Sequence, residues 1–250
     1  MSKSINAIQG ALVAHWDNLR DNIRRVNSGL QFEPSEGYTL FQPDYEASTD
    51  DTASFKVGPV VVNLPERGDH VTANLFVVAE CSLSFNAAAY RADKRLIISG
   101  YATHVGYFRR GNTHLQHVYG VHYDFDTQRP AHPVFHAQLK SFATEFEPHI
   151  REQFNVTLDA EDRVKDMLQN VRLPSAQLDF FSLIVQLAAD HLIWQDSGDK
   201  ERAAFNDILN LDVGITGASQ GCVQLCIGAA IPCHRATHWY ARLRPNVAAQ

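Results

Sequence analysis

The strongest constraint on this chain is a run of aromatic and β-branched segments between about Gly37 and Phe142, separated by connections too short for crossovers. The segments are Tyr38–Gln42, Phe55–Leu64, Ala73–Phe85, Arg95–Phe108, Leu115–Phe125 and Val134–Phe142. Val, Ile, Phe and Tyr at this density favour strands, and turn clusters such as Arg109-Arg110-Gly111-Asn112 separate them. Parallel neighbours need a connection of a dozen residues or more, so from Ala73 onward the pattern predicts antiparallel strands in a meander. The acidic, small-residue stretch Glu46-Ala47-Ser48-Thr49-Asp50-Asp51 reads as an exposed loop.

Helical patterns flank this block. Ile5, Ile8, Leu12, Trp16, Leu19, Ile23 and Val26 recur at steps of three and four, so they share one face of a helix. Asn27-Ser28-Gly29 stops it. That stripe must be buried, on the sheet or on a partner subunit. After the strands, Asp159 is placed as the N-cap of a helix over 160–171. Leu173-Pro174-Ser175 breaks that helix and starts another over 176–194, and Ser197 opens a third through Leu209. From Leu211 the chain is small and Gly-rich, then basic and aromatic. Helix, meander, then helices predicts a single α+β domain over 1–250: a helix in 1–29, an antiparallel sheet in 37–142, helices in 159–210 and a tail in 211–250.

Composition narrows the class. With 45% hydrophobic and 20% charged residues in 250, the chain can bury a full core and is not a disordered scaffold. Its net charge of −6 argues against a large basic surface for duplex nucleic acid. The apolar stretch Leu178–Trp194 is interrupted by Asp179, Gln186 and Asp190 and is too short for a membrane span. The segment MSKSINAIQG has no apolar core of a secretory signal, so the four cysteines are expected to be reduced thiols in the cytoplasm.

Chemistry concentrates in His117-Val118-Tyr119-Gly120-Val121-His122-Tyr123-Asp124-Phe125 and His132-Pro133-Val134-Phe135-His136-Ala137-Gln138. Alternation sets Val121, Tyr123 and Phe125 on one face and His122 and Asp124 on the other. Likewise Phe135, Ala137 and Leu139 oppose His136, Gln138 and Lys140. A hairpin must put both apolar sets on the core side, because a one-residue slip would expose one of them. The register that centres the loop near Pro130 pairs Phe125 with Phe135, Asp124 with His136, and His122 with Gln138.

His122, Asp124, His136 and Gln138 then lie together. Such a patch suits a divalent metal held by two His and one Asp, with an open position for water. It also suits an acid–base pair in which Asp124 orients His136, or the binding of a polar ligand. The plain alternative is a cross-strand polar ladder on a wet face.

Three other groups carry weaker patterns. Asp179, Ser182, Gln186 and Asp190 form one polar stripe on an apolar helix, so Asp190 or His191 can line a cleft against the sheet; a core helix with one wet edge explains the same spacing. Cys222, Cys226, Cys233 and His238 (beside His234) are the ligand types of a structural zinc site, although apolar neighbours favour ordinary core packing. The segment 235–244 interleaves cations and aromatics, as single-strand binders and subunit-docking tails both do; nucleic acid is not the favoured partner. No phosphate-cradling loop supports a nucleotide cofactor, and no cofactor is assigned.

The His-Tyr-Asp element at 122–124, the His-Pro-x-Phe-His element at 132–136, Arg172-Leu173-Pro174 and Asp190-His191 together resemble uncharacterised bacterial families of toxin–antitoxin and phage-defence gene cassettes. The resemblance spans about residues 75–195. It implies a bacterial accessory or effector role without naming a reaction. With no specific catalytic motif, the leading expectation is a non-enzymatic binding or regulatory component. It would contact another protein, or a second copy, through the first helix or the tail. The rivals are a metal-assisted hydrolase or nuclease using His122, Asp124 and His136, and a structural subunit of an oligomer.

Overall fold

The computed structural model describes residues 2–27, 31–34, 39–64, 75–110, 114–125, 135–140, 145–146, 148–149, 151, 157–159, 172–174, 178–193 and 197–216. Within them lie α1 (Ser2–Val26), β1 (Gln31–Pro34), β2 (Phe41–Pro43), β3 (Thr52–Asn63), β4 (Leu75–Asn86), α2 (Ala87–Asp93), β5 (Ile98–Arg110), β6 (His114–Phe125), β7 (Phe135–Lys140), β8 (Thr157–Asp159), β9 (Arg172–Pro174), α3 (Phe180–His191) and α4 (Asp199–Thr216). The fold is α+β. Its sheet runs β1-β3-β4-β5-β6-β7-β9, with β2 paired to β3 and β8 to β6.

From β3 to β7 the neighbours are consecutive and antiparallel, as the short connections require. β8 is the exception, pairing parallel to the first residues of β6. It lies beyond the stretch Gly120–Phe125 that β7 covers. β8 and β9, three residues each, carry too little alternation to be seen in the sequence, and they extend the sheet past the predicted limit at 142. Arg172-Leu173-Pro174 is therefore a strand, not the broken end of a helix. Asp159 closes β8, and the helix expected over 160–171 lies outside the described residues.

The long helices described lie on one side of the sheet, where α1 and α3 pack on the strands and α4 packs on those two helices. Ile5, Ile8, Leu12, Trp16, Leu19, Ile23 and Val26 of α1 are all buried, in one cluster with Phe55, Val57, Val62, Val77, Ala79, Leu83 and Phe85 of the sheet. Phe180, Phe181, Leu183, Ile184 and Leu187 of α3, with Ala204 and Ile208 of α4, complete it. Burying each large aliphatic side chain stabilises the fold by roughly 1.5–3 kcal/mol relative to exposure, so the α1 stripe is a principal source of cohesion. Rings fasten α3 to its neighbours: Trp16 of α1 lies 5.4 Å from Phe180, and Phe41 of β2 stacks on Phe181 at 5.8 Å.

Two of the register shifts in the ladder keep the alternation in phase. Between Val57 and Val60 the register of β3 against β4 shifts, so Gly58 and Pro59 together oppose Glu80. Proline has no ladder donor, and a bulge is where a strand tolerates it. The extra residue lets Val57 and Val60 both face the core. A second shift leaves Val118 unpaired between the Tyr107–Tyr119 and Phe108–His117 pairs.

Helix α3 starts later than the sequence predicts. It begins at Phe180, because Asp179 is its N-cap: Oδ1 accepts from the amides of Phe181 (3.0 Å) and Ser182 (3.3 Å), and Oδ2 accepts from the Ser182 hydroxyl. Asp179 is therefore a fully buried cap and not part of a wet stripe. Helix α4 runs from Asp199 to Thr216, past the expected end at Leu209. The short α2, capped by Asn86 and ended by left-handed Lys94, replaces a simple turn between strands. Among the described residues no helix is long and apolar enough to cross a membrane.

Candidate functional site

The second face of the sheet carries the polar groups. Odd positions of β4 and β5 (Val77, Ala79, Cys81, Leu83; Tyr101, Val105) point into the helix-side core, so the even positions face away. The β6–β7 register is the one the hydrophobic parity demands: Phe125 opposes Phe135, Asp124 opposes His136, and His122 opposes Gln138. Carried across β5 and β4, the registers set two cross-strand rows side by side. One is Glu80, His104, His122 and Gln138; the other is Lys56, Ser82, Ala102, Asp124 and His136.

Contacts run through these rows. Glu80 Oε1 lies 3.0 Å from His104 Nδ1. The His104 and His122 rings are 4.8 Å apart. His122 Nε2 lies 3.4 Å from Asp124 Oδ2, and His136 Nδ1 lies 2.6 Å from Asp124 Oδ1. His136 is 1% exposed, whereas the side chains of His122 and Asp124 keep 22% and 25% of their surface in water. Burial pulls the Asp124 carboxyl upward, but the hydrogen bonds and charges of His122 and His136 outweigh it and hold the group well below its usual range. Asp124 is therefore a carboxylate at neutral pH, shared by two imidazoles.

The sequence-based reading did not single out Glu80 or His104 as site residues. Glu80 is the one acidic residue in the apolar strand Leu75–Phe85, and an acidic side chain in such a strand must face away from the core. That signal was available. That Glu80 pairs with His104 depends on register and could not be read locally.

Other expected site residues lie elsewhere. Asp190 and His191, in the last turn of α3, belong to the helix side: the Asp190 charge acts on Tyr107, Tyr119 and Tyr123, whose positions alternate with those of His104, His122 and Asp124. The sheet separates them from the imidazoles. Burial lowers His191, and Asp190 partly opposes the shift. Cys222, Cys226, Cys233 and His238 lie outside the described residues.

Potential nucleophiles are also on the helix side. Burial pushes the Cys81 thiol up to about 12 and the Tyr123 phenol up to about 12, and it raises Tyr101 and Tyr107 as well. Among the described residues no group of three or more His, Cys, Asp or Glu side chains is arranged to hold a metal ion. The physical reason is local: the two Asp124 oxygens each meet one imidazole directly, so the donors point at each other.

Beyond the polar half, the second face turns apolar. Val61, Phe76, Val78, Phe108 and Phe146 are buried there, apart from the main core. Gly106 makes this packing possible, since a Cβ on it would come within 2.7 Å of Phe146 and 2.8 Å of Phe108.

No protein-family model, curated protein or solved structure matches this chain. What it does must be argued from these side chains.

Proposed function

We propose that the chain is a non-enzymatic binding or regulatory component that recognises a polar ligand on the β4–β7 face, in the accessory role that the resemblance to bacterial defence and toxin–antitoxin cassettes implies. The observation that carries the reading is that both carboxylates in the two cross-strand rows described on this face already hold an imidazole. Glu80 is paired with His104, and Asp124 with His122 and His136. Such pairing fixes ring orientation and presents a preformed polar surface, which is what recognition requires. A general base must reach its substrate, and the imidazole closest to a carboxylate, His136, is sealed from solvent. The thiol and phenols with raised pKa face the other way. Contact with a partner protein or a second copy would use the outer face of α1 or the C-terminal tail, since the apolar stripe of α1 is buried within the chain.

One experiment separates this reading from its rivals. Purified protein is assayed against single-stranded and duplex oligonucleotides and nucleoside triphosphates, with and without added Mg²⁺, Mn²⁺ or Zn²⁺. No turnover is expected. A polar-metabolite screen by thermal shift should instead find stabilisation that His122→Gln removes. Turnover abolished by His136→Ala would establish the hydrolase or nuclease and overturn the binding reading.

A further inference from the structure

Beside the imidazole pair, the second face holds a solvent-open cavity of about 170 Å³ lined by Lys56, Val57, Glu80, Cys81, Ser82, Ala102 and His104. Its shape follows from sequence. Val57 and Cys81 turn their side chains into the helix-side core, leaving backbone at the cavity, and Ser82 and Ala102 oppose each other as small floor residues. Lys56 opposes Ser82 from β3, and Glu80 precedes Ser82 by two positions on the same face. A lysine and a glutamate thus stand diagonally across a small floor, on backbone positions roughly 7–8 Å apart as is typical of diagonal neighbours on a sheet.

The charge arrangement selects a ligand class. Glu80 and, one strand beyond Ala102, Asp124 repel a bare anion such as phosphate or a simple carboxylate. Lys56 repels a bare amine. A molecule bearing both charges a few ångströms apart meets each with its opposite, and the Ser82 hydroxyl between them can donate or accept. Lys56 Nζ now lies 3.5 Å from Asp44 Oδ2 but remains 69% exposed at its side chain, so its ammonium is free to turn from that partly buried partner toward a ligand acid.

We propose that this cavity binds a small zwitterion of amino-acid type, with its ammonium on Glu80 and its acidic group on Lys56 and Ser82. The inference rests on the binding reading above and names the ligand class for that face.

The test is isothermal titration at low ionic strength with glycine, β-alanine and γ-aminobutyrate, against propionate and propylammonium as single-charge controls. At least one zwitterion should bind about tenfold or more tighter than either control, the loss expected when one charge-assisted hydrogen bond is missing. Glu80→Gln, which keeps an acceptor for His104, and Lys56→Met should each weaken it to a similar degree with unchanged thermal midpoints. Asp44→Asn should tighten it by freeing Lys56. Equal binding of a single-charge control, no binding by any zwitterion, or binding indifferent to Lys56 and Glu80 overturns the assignment. If a different ligand still binds through His122, only the ligand class has failed; catalytic turnover sinks the parent reading itself.

Discussion

The two faces of this sheet bury histidine in opposite ways. On the helix side, His15 of α1 meets Phe181 edge-on at 4.9 Å, and its buried Nε2 has no hydrogen-bond partner among the described residues. Burial alone drives it down to about 4, so it is neutral at physiological pH. On the second face, His136 is buried more deeply yet has a carboxylate 2.6 Å away. His15 is thus held among aromatic rings, whereas His136 is held by the Asp124 carboxylate. The helix side is the apolar scaffold, and the second face gathers the paired polar groups.

The contrast can be broken by experiment, and the largest effect belongs to the scaffold. Phe180→Ala removes a fully buried ring that touches Trp16, Phe41 and Phe181, and should cost roughly 3–5 kcal/mol in denaturant unfolding. On the second face, Gly106→Ala should cost about 1–3 kcal/mol by overpacking against Phe146 and Phe108, neither of which is a flexible chain end. If that substitution is neutral, the apolar half of the second face is looser than described.

Acid should then distinguish the faces. The folded-state value of His15 is depressed, so its contribution is complete above about 6.5 and is lost as pH falls from there to about 4. His191 is shifted in the same direction and adds to the loss in acid. Allowing for partial solvent screening, His15→Leu should remove on the order of 1–2 kcal/mol of pH-dependent stability, seen as a flatter stability curve across that window. Asp124 behaves otherwise. Its carboxyl is also depressed, so the stability it confers is full above its unfolded value of about 3.9 and is lost only as pH falls below that. The gap in thermal midpoint between wild type and Asp124→Asn should therefore hold from pH 7 to pH 5 and close under stronger acid. A gap that closes already between pH 6.5 and 5 would mean that the Asp124 carboxyl is not held below its usual range and would erase the distinction. The smallest effect is expected for Glu80→Gln, within about 0.5 kcal/mol, because its pair with His104 is partly exposed.

The amino-acid sequence alone determined the elements with long, repeated patterns. Seven apolar residues at helical spacing specified α1 and its buried face, and strict alternation in β6 and β7 specified their register, because any slip would expose Phe and Val to water. The pairing of Asp124 with His136 was therefore legible without coordinates. The short strands β1, β8 and β9 were not, since they contain too few positions to show a period. The start of α3 was missed because an aspartate at helical spacing reads as a wet position, whereas tertiary burial made Asp179 a cap. Tertiary structure also decided which side of the sheet each polar residue serves. It joined Glu80 and His104 to His122 and left Asp190 and His191 on the far side. Alternation fixes what shares a face within one strand, but the meeting of residues from strands and helices distant in sequence depends on how those elements pair and pack.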